Sequence, residues 1–113
     1  MIKIYHNNRC SKSRSALEIL ENSGKDFEII KYLEDAPTKE ELQQLIKMLN
    51  IEPIDLVRKN EAIWKSEYKN QDLSNDAIID AMLAHPKLIE RPIVVNGNNA
   101  VICRPTENIN KVL

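Results

Sequence analysis

The chain has 113 residues, one domain's worth, and 42% of them are apolar, enough for a single core. Lys and Arg number 16 against 17 Asp and Glu, so the formal charge is −1, without the basic excess of a general nucleic-acid or membrane-surface binder. The only glycines, Gly24 and Gly97, stand too far apart for a Walker or GxGxxG loop, and no apolar run is long enough to span a bilayer.

The opening residues, MIKIYHNNRC, lack the apolar stretch of a secretory signal, so a cytoplasmic protein is expected. Cys10 and Cys103 are then expected as reduced thiols rather than a structural bridge. With His6 and His85 they do not form a spaced zinc motif, and no bound metal or cofactor is expected.

Residues 2–5 alternate apolar and polar, which predicts a strand. Residues 6–10 are polar and predict a loop. A helix is expected from about Ser11 to Asn22, burying Ala16, Leu17, Ile19 and Leu20, with Gly24 at its left-handed C-terminal cap. Phe27 to Lys31, apolar at 27, 29 and 30, reads as a second strand. A strand-helix-strand unit this short makes the two strands parallel.

The second third reads as helical. Thr38 and Glu41 have capping-box spacing, and Leu42, Leu45, Ile46 and Leu49 recur on one helical face. Pro53 opens a short helical turn ending near Val57, and residues 61–68 predict another turn or two. Ser74 caps a helix to about Ala84 with Ile78, Ile79, Met82 and Leu83 buried, and His85-Pro86 ends it.

The last third changes period. Ile93-Val94-Val95 and Ala100-Val101-Ile102-Cys103 flank Asn96-Gly97-Asn98-Asn99, which predicts an antiparallel hairpin. Thr106 starts a final helix with Ile109, Val112 and Leu113 inward. The expected fold is α/β: β-α-β, helices, then β-β-α around a mixed four-stranded sheet. Residues 1–113 are expected to form one domain, with a helical insertion at about 38–84.

Cys10 falls between the first strand and the first helix. Unpaired amides and the dipole at a helix N-terminus favour a thiolate there, and Arg9, Lys12 and Arg14 add positive charge. The same amides hold an oxyanion, so one position serves a nucleophile and an anionic substrate. Cys103 ends an apolar strand and is expected in the packing. Residues 10–13 read Cys-Ser-Lys-Ser, which cannot close its own disulfide, so an oxidised Cys10 needs an outside thiol to reset it. Ser11 and Ser13 each fit a plain helix-start role as well. Arg14 lies on the same helix face as Cys10.

The five arginines are Arg9, Arg14, Arg58, Arg91 and Arg104. Arg58, Arg91 and Arg104 fall at element ends, where site residues collect. A guanidinium fork grips two oxygens of a tetrahedral anion. Convergence of these three on Cys10 competes with simple pairing to acids such as Glu90 or Glu107. His6 either pairs with the thiolate as imidazolium or orders the loop through a backbone bond. The residues alone do not show the isomer of the Arg91-Pro92 bond, for which trans is the ordinary expectation.

Together these stretches resemble the glutaredoxin-coupled arsenate reductase (ArsC) family: Tyr5-His6-Asn7 through Cys10-Ser11-Lys12-Ser13-Arg14, Leu56-Val57-Arg58-Lys59-Asn60, Arg91-Pro92-Ile93-Val94-Val95 and Cys103-Arg104-Pro105. Lys31-Tyr32-Leu33-Glu34 with Pro37-Thr38 is similar too. Asn8 stands where the family often has proline, and Ser-Lys follows Cys10 where some members have Gly-Thr. The resemblance implies a thioredoxin-like fold with Pro92 as its cis-proline. It implies that Cys10 attacks arsenate, that Arg58, Arg91 and Arg104 hold the oxyanion, and that His6 keeps Cys10 ionised, with Ser13 and Arg14 in support. Glutathione as co-substrate and glutaredoxin as partner would then supply the electrons that release arsenite. Two alternatives accompany it: a monothiol glutathione-dependent disulfide reductase, and a non-enzymatic Spx-like regulator that binds RNA polymerase.

Overall fold

Four short strands, β1 (Ile2–Tyr5), β2 (Phe27–Ile30), β3 (Ile93–Asn96) and β4 (Asn99–Ile102), pair into one mixed sheet ordered β2-β1-β3-β4 in the computed structural model, which describes all 113 residues. β1 runs parallel to β2 and antiparallel to β3, and β3 and β4 form an antiparallel hairpin. The parallel pair needs a crossover, which helix α1 (Ser11–Asn22) supplies. Gly24 follows that helix with φ +74°, and Gly97 turns the hairpin with φ +63°, both positions that favour a residue without Cβ.

The chain forms two compact units, one from Met1–Asp35 with Arg91–Leu113, the other from Ala36–Glu90. In the first, Ile2 and Ile4 of β1 and Val94 of β3 bury with Ala16 and Leu20 of α1 and with Cys103, Ile109 and Val112. Leu17 and Ile19 pack at the margin of this cluster and are half-buried. β2 is an edge strand, so Ile29 is exposed rather than buried.

In the second unit α2 (Lys39–Leu49) packs on α4 (Asn75–Ala84), with α3 (Ala62–Glu67) and 3-10 turns at Pro53–Leu56 and Pro86–Leu88. The Thr38–Glu41 capping box is formed in both directions, at 3.1 and 3.2 Å. Leu42, Leu45 and Ile46 are buried; Leu49 is only half-buried, as is Leu83 on α4. Lys39 Nζ reaches Asp76 at 2.9 Å and Asp80 at 3.0 Å, one helical turn apart on α4. Ser74 caps α4 as expected, its hydroxyl accepting from the Ala77 amide.

Several expected boundaries differ: β2 ends at Ile30 rather than Lys31, and β3 takes in Asn96. β4 starts and stops one residue early. The Cys103 N–H bonds the Pro92 carbonyl at 2.9 Å, but Pro92 has no N–H to return, so the ladder ends there. The final helix is a 3-10 helix, Thr106–Lys111. Asn108 Nδ2 donates back to the carbonyls of Ile102 and Arg104, which draws this segment onto the end of the strand. No helix is long and apolar enough to cross a membrane.

Candidate active site at Cys10

Cys10 is the N-cap of α1, with extended backbone (φ −94°, ψ 123°) and a half-buried side chain. Its carbonyl accepts the first helical bond, from the Arg14 amide at 3.0 Å, so the sulfur sits over the unpaired amides of the first turn. Burial pushes the thiol up. The Ser13 amide, the Arg91 side chain, the Lys12 amide and the Arg104 charge all push it down, and together they hold the pKa below the ordinary thiol value. None of the amides makes a formal cap bond to the sulfur, so their effect is that of dipoles at close range.

Arg91 and Arg104 meet here because the hairpin register carries them together. Ile93 faces Ile102, the Cys103 N–H bonds the Pro92 carbonyl, and Arg91 and Arg104 are the next residues beyond that end of the ladder. Arg104 donates from Nε to the Arg91 carbonyl at 2.6 Å and from Nη2 to Cys10 Sγ at 3.3 Å. The Arg91-Pro92 bond is cis, as is Arg104-Pro105. Arg58 lies in the second unit. Its N–H bonds the Leu88 carbonyl at 2.7 Å, and its guanidinium lies 3.5 Å from Glu61 and 3.8 Å from Glu90, the acid pairing that the sequence left open.

His6 and Ser13 are the buried polar residues of the molecule. His6 Nδ1 and Ser13 Oγ lie 2.6 Å apart, and Ser13 Oγ also accepts from the Asn7 amide at 3.0 Å. Burial, then the charges of Lys31 and Arg14, hold His6 below its ordinary pKa, against the opposing Ser13 bond. The imidazolium alternative is therefore disfavoured. The His6 ring meets the hydroxyl of Ser13, its backbone N–H bonds the Ile30 carbonyl at 2.9 Å, and the Ser13 amide in turn favours the thiolate. Arg14 Nη1 donates to the Asn8 carbonyl at 2.9 Å and so braces the same loop.

Asn7 entered the sequence reading only as part of the Tyr5-His6-Asn7 stretch, with no role of its own. Its carbonyl accepts from Cys10, its Oδ1 accepts from Arg9 at 3.0 Å, and its amide reaches Ser13. Asparagine two residues before such an amide is the usual side-chain turn, which was the available signal. Cys103 is fully buried and its thiol is pushed up to about 12 by that burial. No group of three or more His, Cys, Asp or Glu side chains gathers as a metal site.

A sulfur with a lowered pKa, two arginine side chains and helix-end amides are brought together at one place, an arrangement suited to a nucleophile and an anion. The family model described as ArsC family matches residues 5–112. The chain is 42% identical over 114 residues to an arsenate reductase of Neisseria meningitidis, covering 99% of this chain and 97% of the relative. It is 43% identical over 113 residues to an arsenate reductase of Escherichia coli K12, covering 99% of this chain and 80% of the relative. An arsenate reductase structure from Vibrio cholerae superposes with a TM-score of 0.94 at 45% identity, covering 99% of this chain and 97% of the other. The matched span takes in Cys10, Arg91, Arg104 and strands β2, β3 and β4 of the thioredoxin-like sheet, and this protein belongs to the ArsC family.

Proposed function

We propose that this protein is an arsenate reductase that uses Cys10 as nucleophile and outside thiols as reductant. The observation that carries the reading is the contact of Arg104 with a sulfur whose pKa is already lowered. The Cys10 thiolate attacks arsenic and an arsenate oxygen leaves as water, giving a cysteinyl adduct. Arg91 and Arg104 offset the charge on the remaining oxygens. Glutathione and then glutaredoxin supply the two electrons. In total one arsenate and two thiols give arsenite, one disulfide and water, and Cys10 leaves the cycle as the thiol it began as. This chemistry belongs to a reducing compartment such as the cytoplasm, where glutathione is kept reduced.

The test is arsenite release with glutathione, glutaredoxin, glutathione reductase and NADPH. Cys10→Ser abolishes it. Arg91→Ala and Arg104→Ala each lower turnover by about 10²–10³-fold, the scale of losing one oxyanion donor. Arg58→Ala in the same assay decides whether that residue acts as a third oxyanion ligand. Reduction of a glutathione mixed disulfide without arsenite release replaces the reading with a monothiol disulfide reductase. RNA polymerase binding without either activity replaces it with an Spx-like regulator.

A further inference from the structure

The loop that delivers Cys10 has little packing to hold it, since Asn7 is half-buried and Asn8 and Arg9 are exposed. Its entry is fixed where the His6 N–H meets the Ile30 carbonyl, and its exit where the Cys10 carbonyl accepts from the Arg14 N–H. The sulfur itself makes no cap bond to the amides beneath it. Its place over them is therefore set by the backbone of residues 7–10.

Three groups of Asn7 bond within that stretch of chain or tie it to α1. The carbonyl accepts from the Cys10 N–H at 3.0 Å, which closes a four-residue turn. No residue of the turn has positive φ, which leaves the type I form. Oδ1 accepts from the Arg9 N–H at 3.0 Å, the bond by which an asparagine in first position stabilises such a turn. The Asn7 N–H donates to Ser13 Oγ at 3.0 Å and fastens the turn to the first turn of α1. From outside, Arg14 Nη1 holds the corner through the Asn8 carbonyl at 2.9 Å.

We propose that Asn7 is a positioning residue for the nucleophile: its side-chain carbonyl locks the Asn7–Cys10 turn and so keeps the sulfur over the helix-end amides and beside Arg104. Any residue here supplies the two backbone bonds, but only a short side chain with an acceptor supplies the third. With both central residues of the turn exposed, that third bond is what resists opening. The inference deepens the proposed function, resting on Cys10 as its nucleophile, and names the group that aims it. It does not depend on which anion is attacked.

The test begins with Asn7→Ala, which deletes Oδ1 and keeps both backbone bonds. Amide hydrogen exchange by NMR is expected to speed up at Arg9 and Cys10, and the midpoint of Cys10 alkylation against pH to move upward. In arsenite release kcat falls about tenfold, less than the roughly 10²-fold that a 1 Å misplacement costs. The KM for arsenate stays near the wild-type value, because Arg91 and Arg104 stand at the end of the hairpin rather than on this loop. Asn7→Ser, whose hydroxyl accepts from the same amide, recovers most of kcat and the midpoint. Adding Asn8→Pro to Asn7→Ala does so as well, since proline in second position stiffens a type I turn without restoring the lost bond. An unshifted midpoint with unchanged kcat in folded Asn7→Ala overturns the proposal, as does a loss of thermal stability alone. A defect that neither Asn7→Ser nor Asn8→Pro reverses overturns it too. If the wild-type chain releases no arsenite, the proposed function falls, while the alkylation midpoint and the exchange rates still decide the role of Asn7.

Discussion

At Cys10 burial and electrostatics oppose each other, and the amides and guanidinium groups prevail. The midpoint of iodoacetamide alkylation against pH is therefore expected below about 8.5, the value of an unperturbed thiol. Arg104→Ala removes a positive charge from the thiolate and moves that midpoint upward. An unshifted midpoint in the variant contradicts the role given to Arg104. Ser13 carries a different burden. Its fully buried hydroxyl serves both the Asn7 amide and His6, so Ser13→Ala leaves buried polar groups without their partner. The expected cost is about 1–3 kcal/mol in urea unfolding. Position 13 was legible in the sequence as a helix-start serine that ends the Cys-Ser-Lys-Ser run and supports the site. Its partner in the fold is His6, which no local pattern announces.

The elements were legible wherever a local signal sufficed. α1 runs from Ser11 to Asn22 as expected, because its start follows a polar loop and Gly24 ends it. The capping box before α2 was readable from Thr38 and Glu41 alone, and Thr38→Ala is expected to lower stability by about 1 kcal/mol, measured by thermal or urea unfolding. Glu41→Ala, which removes only the reciprocal bond, costs less. The hairpin around Gly97 did more than set two strands. It brings Arg91 and Arg104 to the same end, where Arg104 Nε bonds the Arg91 carbonyl, so both arginines of the site follow from one turn. The 3-10 form of Thr106–Lys111 was not readable, since it depends on Asn108 bonding carbonyls at the end of β4. The strand at Phe27 was readable from its apolar residues, but not that Ile29 on this edge strand is left uncovered, since apolar spacing does not show what covers a face.

Across the molecule, the contact between Arg104 and Cys10 joins residues 94 positions apart. The residue types at both ends were conspicuous in the sequence, but their distance was not. That gap is closed by the pairing of β3 with β1 and β4, which brings the end of the chain back to its beginning. The placement of Arg58 beside Glu61 and Glu90 shows the same limit, because an arginine at an element end reads alike whether it meets an anion or a neighbouring carboxylate. The core around Ile4, Ala16 and Ile109 also encloses the second sulfur, Cys103. With its thiol buried and its pKa near 12, that sulfur is silent to dithionitrobenzoate in the native protein. Colorimetric titration is expected to count one sulfur per chain at neutral pH and two in urea. The slow second release of colour then clocks how often the whole interior opens, an unfolding gauge that needs no added label.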